Sequence, residues 1–223
     1  MSIIKCAFHI HTEFSLDCRT SLREVIEFCI HKNISSIIIT DHNTIKGAIE
    51  LKKVAPEGLQ IIVGEEINTT EGEVMGLFLD KEICSGMSPE KTIEQIRCQN
   101  GIVCIPHPYD SFRKERLREN ALNRIIDSVD ILEVFNSRNL YAKDNERALK
   151  LAEKEKKIKI SGSDAHTRDE IDSTVLKIQS FNSKEEFLLN LSLAEHITKK
   201  SSPFVHIITK GIKISNKFIK TKG

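Results

Sequence analysis

The chain has 223 residues, of which 39% are hydrophobic and 29% charged, and its formal net charge is +1. This length and balance suit one domain with a large buried core, a size that α/β barrels often reach as a single unit. No apolar run approaches the roughly 18 residues of a membrane span, and Trp is absent, so Ile, Leu and Val must fill the core.

Apolar, β-branched runs alternate with helical patterns. Strands are expected at Ile3–Ile10, Ser36–Thr40, Gln60–Ile67, Val74–Leu79, Ile102–Pro106, Ile131–Phe135, Lys157–Ser161 and Val175–Gln179. Helices are expected at Leu22–Lys32, Thr44–Val54, Pro89–Asn100, Arg116–Ile126, Lys143–Lys156 and Lys184–Leu191. Ser21-Leu22-Arg23-Glu24 reads as a capping box, and Ser88-Pro89-Glu90 as a helix start. Asn100-Gly101 closes that helix. Gln60–Ile67 and Val74–Leu79 read as a hairpin around Glu71-Gly72. Short buried strands alternating with helices argue for parallel βα units, and about seven of them for a closed or nearly closed barrel. A doubly wound open sheet competes with it on periodicity alone.

From His196 onward there are seven Lys and no Asp or Glu. Taking these seven from the 33 basic residues leaves 26 against 32 acidic ones, so the body is acidic. That fits a cation-holding site better than a nucleic-acid-binding body. Ser201-Ser202-Pro203 marks the expected boundary between a barrel (1–200) and a basic C-terminal tail or helix (201–223). The cysteines, at 6, 18, 29, 84, 98 and 104, include no Cys-x-x-Cys pair, and Met1–Lys5 leads straight into a strand-like run. The expectation is reduced core thiols in a cytoplasmic protein.

Ligand-type side chains fall at the carboxyl ends of successive strands. His9 and His11 end the first, Asp41 and His42 follow the second, Glu65 and Glu66 end the third, His107 the fourth and Asn136 the fifth. Asp164 and His166 follow the sixth. Parallel α/β folds build their sites on that face. In an extended His9-Ile10-His11 both imidazoles point one way. Imidazole nitrogens and carboxylate oxygens are the usual ligands of Zn, Mn or Fe(II). So many ligands cannot surround one ion, and they suit two or three sharing a bridging carboxylate.

The runs His9-Ile10-His11-Thr12, Thr40-Asp41-His42-Asn43-Thr44, Gly64-Glu65-Glu66-Ile67, Pro106-His107-Pro108 and Gly162-Ser163-Asp164-Ala165-His166 resemble the successive motifs of the PHP (polymerase and histidinol phosphatase) superfamily, in order and over about residues 1–180. The resemblance implies an α/β fold, a distorted (β/α)7 barrel with a trinuclear metal site at the C-terminal ends of the strands. It implies that His9, His11, Glu66 and Asp164 hold one ion, and Asp17, His42 and His166 a second. Glu66, as the bridge, and His107 would contribute to a third. Strand alternation also selects one of Glu65 and Glu66.

The chain departs from the family pattern in three places. Ala7 stands where many members have an Asp two residues before the first His, a loss expected to loosen ligand orientation. Ser15-Leu16-Asp17 carries one extra residue. Glu73 stands where related phosphoesterases often have a hairpin His, and oxygen ligation there favours Mn or Fe over Zn.

Outside the ligands, Arg138 is the candidate phosphate clamp, with Arg113 behind it. Asn136 is placed to orient substrate or a ligating His. Asp41 reads as a group behind the ligands or a cap for the helix near Thr44. His31, His196 and His206 read as surface or packing residues. The expected activity is hydrolysis of a phosphate ester, on a small phosphorylated metabolite or nucleotide, by a metal-bridging hydroxide, with Asp164 or a metal-linked His such as His166 moving the proton. With no inserted lid domain evident, the hairpin-to-helix segment and the Tyr109–Arg116 loop are left to shape the pocket. The alternatives are a 5′–3′ exonuclease-like role on RNA or DNA, its phosphates contacted by the basic tail, and a non-catalytic metal-binding protein. Nothing points to an obligate protein partner.

Overall fold

A computed structural model describes residues 2–220. The strands are β1 (Ile3–Ile10), β2 (Ser36–Ile39), β3 (Gln60–Thr69), β4 (Gly72–Leu77), β5 (Ile102–Ile105), β6 (Ile131–Asn136), β7 (Ile158–Gly162), β8 (Thr174–Gln179) and β9 (Glu195–Thr198). The helices are α1 (Leu22–Lys32), α2 (Lys46–Val54), α3 (Pro89–Cys98), α4 (Glu119–Ile125), α5 (Ala142–Lys154), α6 (Lys184–Ser192) and α7 (Phe204–Lys220).

One sheet runs β7-β6-β5-β4-β3-β2-β1-β8-β9. It curls until the chain beyond β7 meets β1. Ser163 N donates to Phe8 O (3.0 Å), Ala165 N to His9 O (3.1 Å) and His11 N to Ala165 O (2.9 Å). The result is a nearly closed barrel whose seam carries His9, His11 and Asp164.

Pure βα alternation does not hold. β4 is antiparallel to both β3 and β5, because the Glu71-Gly72 turn returns the chain directly. β8 and β9 are antiparallel additions beside β1, and β9 has no counterpart among the expected strands. Its buried pattern is weak, since the strand lies at the sheet edge with only one residue half-covered.

Alternation along the strands sorts the core into two layers. Ile37 and Ile39 of β2 face the helix layer with Ala48, Leu51, Val63, Ile96 and Val103. Ile38 faces the barrel interior with Phe8, Ile62, Met75, Cys104 and Ile160. Each fully buried side chain of this size contributes roughly 1.5–3 kcal/mol. Phe187 and Leu191 of α6 join the interior layer, and Lys184 reaches the Asn100 carbonyl just ahead of β5. α6 therefore plugs the end of the barrel where β5 begins and leaves the opposite rim for the site.

The local signals behave as expected. Ser21 and Glu24 form the capping box on α1, and Ser88 caps α3 with Pro89 in its first turn. α2 starts at Lys46 with no side-chain cap, so Asp41 is not its cap. All six thiols are unpaired, and Cys6, Cys18, Cys29 and Cys104 are buried. Among the described residues no helix is long and apolar enough to cross a membrane.

Candidate metal centre

The rim at the carboxyl ends of the strands gathers five imidazoles and four carboxylates. His9 and His11 do not arrive on a regular strand. The pairing of β1 with β2 shifts between Ala7 and Ile10, and His9 has φ +65°. This irregularity brings both rings to one place, centroids 5.2 Å apart. His107 and Asp164 also take positive φ, +28° and +51°. Left-handed backbone at a non-glycine residue costs about 1–3 kcal/mol and clusters at functional sites.

Glu66 sits at the middle. Its Oε2 lies 3.4 Å from Nε2 of both His9 and His11 and 3.2 Å from Nδ1 of His42. Its Oε1 lies 2.9 Å from Nε2 of His107. Asp164 Oδ1 is 3.6 Å from His9 Nε2 and 3.5 Å from His11 Nε2. Asp17 bridges His42 (3.6 Å) and His166 (3.5 Å), although the tight group around those two rings takes in His11. Glu73 lies 3.7 Å from both His42 and His107. Glu65 is also buried but faces away, accepting from Ile83 N, as alternation requires.

A second layer fixes the rings. Ser15 Oγ donates to Asp41 Oδ1 (2.7 Å), so toward His11 Nδ1 (3.2 Å) it can only accept. His11 is thereby held with its Nε2 lone pair facing the carboxylates. Asp41 also accepts from Thr12 N and Thr12 Oγ1. Glu133 accepts from His9 Nδ1 (2.8 Å), His107 N (2.6 Å) and Asn136 Nδ2 (2.9 Å). The sequence reading missed Glu133. The orientation that Ala7 cannot provide for His9 comes from this carboxylate instead. Its signal was a lone acid inside the apolar run Ile131–Phe135. Strict alternation places Glu133 and Asn136 on opposite faces, and the register shift between Glu133 and Phe135 puts them together.

The electrostatics show a cluster short of positive charge. Burial alone lowers His9, but Glu133, Glu66 and Asp164 outweigh it and hold the ring well above its ordinary pKa. Burial and the neighbouring imidazoles push His11 and His42 down. Burial and the Glu66 charge push Glu73 up. Against burial, His9 and His42 keep Glu66 low, and Arg113 and His9 keep Asp164 low.

His11 Nε2, Asp17 Oδ1, His42 Nδ1, Glu73 Oε2 and Asp164 Oδ1 are buried without a hydrogen-bond partner. Leaving a buried polar atom unpaired costs about 1–3 kcal/mol. Four overlapping ligand groups lie close enough to grip a cation: His9–His11–Asp164, His9–Glu66–His107, His42–Glu66–Glu73 and His11–His42–His166. The orphaned atoms and the nitrogen–oxygen donor set fit divalent Zn, Mn or Fe.

The two arginines exchange prominence. Arg138 is buried and engaged. Its Nη2 donates to Thr209 Oγ1 (2.6 Å), its Nη1 lies 2.6 Å from His166 Nδ1, and its Nε is 3.4 Å from Glu170. Arg113 reaches into the cluster itself, pairing with Asp164 and lying 2.9 Å from His107 Nε2. Neither the pull of Glu170 on Arg138 nor the reach of Arg113 is visible in local sequence.

A cavity of about 230 Å³ opens on this rim, lined on one side by Asp17, His42, Glu73 and His166. The far wall is α7, through His206, Thr209, Lys210 and Lys213. α7 is strapped at both ends. His206 Nε2 donates to Arg138 O (3.0 Å), and Asn216 Nδ2 donates to Leu16 O (2.9 Å) beside Arg19–Ser215 (2.8 Å). His206 thus packs as a wall of the cavity, and the pocket is shaped by α7 as well as by the expected Tyr109–Arg116 loop. His196 packs on Ser161 as expected.

A nearly closed α/β barrel carries on its rim a buried His–carboxylate cluster able to hold divalent ions. The chain belongs to the PHP family, since the PHP domain model matches residues 7–192. Two uncharacterised proteins of Methanocaldococcus jannaschii are similar to it. One is 42% identical over 60% of this chain and 82% of its own length, the other 33% identical over 89% and 84%. Among solved structures, a two-domain protein from Bacteroides vulgatus containing a predicted PHP-like metal-dependent phosphoesterase superposes with a TM-score of 0.71 at 16% identity, covering 89% of this chain. This chain spans 65% of that protein. A lesion-specific endonuclease from Pyrococcus furiosus superposes with a TM-score of 0.61 at 14% identity, over 91% of this chain and 60% of its own.

Proposed function

We propose that this protein is a metal-dependent hydrolase of a phosphate ester carried by a small phosphorylated compound or nucleotide. The observation that carries the reading is the convergence of His9, His11, His42, His107 and His166 on Glu66, Glu73, Asp17 and Asp164, with several of their buried atoms unpartnered. In this reading His9, His11, Asp164 and Glu66 would hold one divalent ion, and Asp17, His42 and His166 would hold a second. Glu73 and His107 form a third corner. Bound divalent ions supply Lewis acidity toward a phosphoryl oxygen and lower the pKa of water.

The chain's own residues do the rest. Glu133 and Ser15 fix the ring orientations of His9 and His11. The Asp164 carbonyl accepts from His166 Nδ1 and leaves Nε2 of that ring for an ion, while Arg138 packs against the ring and lines the cavity as a candidate phosphate contact. Burial and Arg138 keep His206 below its ordinary pKa, hence neutral at neutral pH and able to move a proton at the cavity wall. Lys210 and Lys213 give the wall positive charge that attracts an anionic substrate. The cavity borders a second groove that shares Asp17, His42, Glu73 and Lys213, and the helix lying across this rim favours a small ester over a polymer. Unpaired, buried thiols agree with a cytoplasmic setting.

The test is a screen of protein reconstituted with Mn, Zn or Fe(II) against p-nitrophenyl phosphate, bis-p-nitrophenyl phosphate, bisphosphorylated nucleotides and short RNA. Mn is expected to support turnover, and His9→Ala or Asp164→Ala to lower it at least about a hundredfold. Reconstituted protein inert toward the whole panel sinks the reading. A nuclease role is the second reading, favoured by the lysines of α7. It requires that helix to swing clear of the rim.

A further inference from the structure

Arg113 occupies a place that the ligand geometry offers to an ion. Glu66 Oε1 and Glu73 Oε2 lie 2.9 Å and 3.7 Å from His107 Nε2, which makes a corner of two carboxylates and an imidazole. Arg113 Nη1 stands 2.9 Å from the same nitrogen, and Nη2 pairs with Asp164 Oδ2. In the tautomer that leaves Nε2 of His107 bare for a ligand, the nitrogen has one lone-pair direction. An arginine N–H placed there and a coordinated ion exclude each other, because both need that position.

The guanidinium is held there by construction. Asp110 Oδ1 accepts from Phe112 N (2.9 Å) and Arg113 N (3.3 Å), and Asp110 Oδ2 lies 3.6 Å from Arg113 Nε. Nearby in the same loop, Ser111 gives both its N–H (2.9 Å) and its hydroxyl (2.7 Å) to Asp144. Two carboxylates thus pin the loop that delivers the side chain. The charge balance agrees. Glu73 is a buried acid with an unpartnered oxygen, and Arg113 lines the same cavity. A guanidinium keeps its charge at every accessible pH and offers five donors in a plane. It can therefore compensate Glu73, Glu66 and Asp164 together, as a cation in that corner must.

We propose that Arg113 is the third cation of the centre: the protein binds two divalent ions, and the guanidinium takes the His107–Glu73 corner in place of a third. Its outward N–H groups line the cavity, where they meet a phosphoryl oxygen of the substrate. The proposal rests on the metal reading of the cluster but not on any hydrolytic activity.

Metal content decides it. The protein is stripped with a chelator, reloaded with Mn(II), freed of excess ion and counted by plasma mass spectrometry. The wild type should hold about two ions per chain, and Arg113→Met should gain about one more. Arg113→Lys, which keeps a positive charge near the corner, should stay at about two. Any other wild-type count overturns the proposal, and so does an Arg113→Met protein that folds and still holds about two. If Arg113→Met does not fold, Glu73→Gln serves. It should leave the count unchanged, whereas a third ion in that corner would be lost with the carboxylate. A loaded but inert enzyme would end the hydrolase reading and leave this count standing.

Discussion

Oε1 of Glu133 lies 2.8 Å from Nδ1 of His9, and both side chains are completely enclosed. The other oxygen accepts from His107 N and Asn136 Nδ2. Both ends of this carboxylate are therefore acceptors, and an amide cannot replace it, because either orientation of Gln faces its NH2 toward a donor. Glu133→Gln should weaken metal binding about 10–100-fold, the usual cost of losing a group that orients a ligand. Titration with a fluorescent chelator as competitor measures it. Gly162→Ala tests the same contact from the opposite side. A Cβ there would overlap Glu133 Oε1, so the carboxylate must move, and affinity should fall in parallel. Unchanged affinity in both variants would show that His9 needs no such support.

The contact also shows what the sequence could and could not disclose. The strand ends carrying His9, His42, Glu66, His107 and Asp164 were legible because parallel βα units put their carboxyl ends on one face, and spacing alone locates those ends. Glu66 was separable from Glu65 by alternation, and the structure has Glu65 facing Ile83. Glu133 was not legible because its position depends on a register shift in β6. The reach of Arg113 is not legible because its loop has no periodicity and is set by Asp110 and Asp144. The antiparallel β4 is half legible: the hairpin at Glu71-Gly72 is expected from the sequence, while its antiparallel pairing with β5 joins segments that no local pattern connects. A basic C-terminal tail or helix is expected from the sequence, and the place of α7 across the rim depends on distant partners, Leu16 and Arg138.

Glu65, turned away from the centre, gives a pH prediction for folding. Burial pushes its carboxyl up to about 7, the Ile83 N–H opposes this, and Glu82 adds to it. A raised folded pKa means that the native state binds the proton more tightly than the unfolded chain. Its stabilising contribution is then complete below the ordinary carboxyl range near 4.5 and is lost as pH rises through about 7. An amide in its place cannot ionise and can still accept from Ile83 N. Glu65→Gln should therefore match the wild type near pH 4.5 and exceed it by at most about 3 kcal/mol above pH 7. Urea unfolding of both proteins at a series of pH values tests this, with the metal-ligand titrations common to both. A constant difference across that range would place Glu65 in contact with water.

Removing α7 separates the two functional readings. The helix presents His206, Thr209, Lys210 and Lys213 to the cavity, while Phe204, Ile207, Ile208 and Ile214 face outward. Among the described side chains its hold on the barrel is mostly polar: His206 to the Arg138 carbonyl, Arg138 to Thr209, Lys213 to Asp17 at 3.8 Å, and Asn216 to the Leu16 carbonyl. Among the described residues, a chain ending at Ser201 loses no fully buried apolar side chain, so its melting temperature should shift by only a few degrees, as about 1 kcal/mol produces in a domain of this size. It loses the cationic wall, so KM for a small phosphomonoester should rise about tenfold, the equivalent of about 1.4 kcal/mol of binding. Oligonucleotides, which the strapped helix keeps from the rim, should be cleaved no more slowly than before. If instead the lysines of α7 grip a nucleic-acid backbone, truncation will abolish oligonucleotide cleavage and leave the monoester untouched. Steady-state kinetics on p-nitrophenyl phosphate and a short RNA, run on both proteins with the same Mn loading, distinguish a lid over a small-ester site from a nucleic-acid-binding arm.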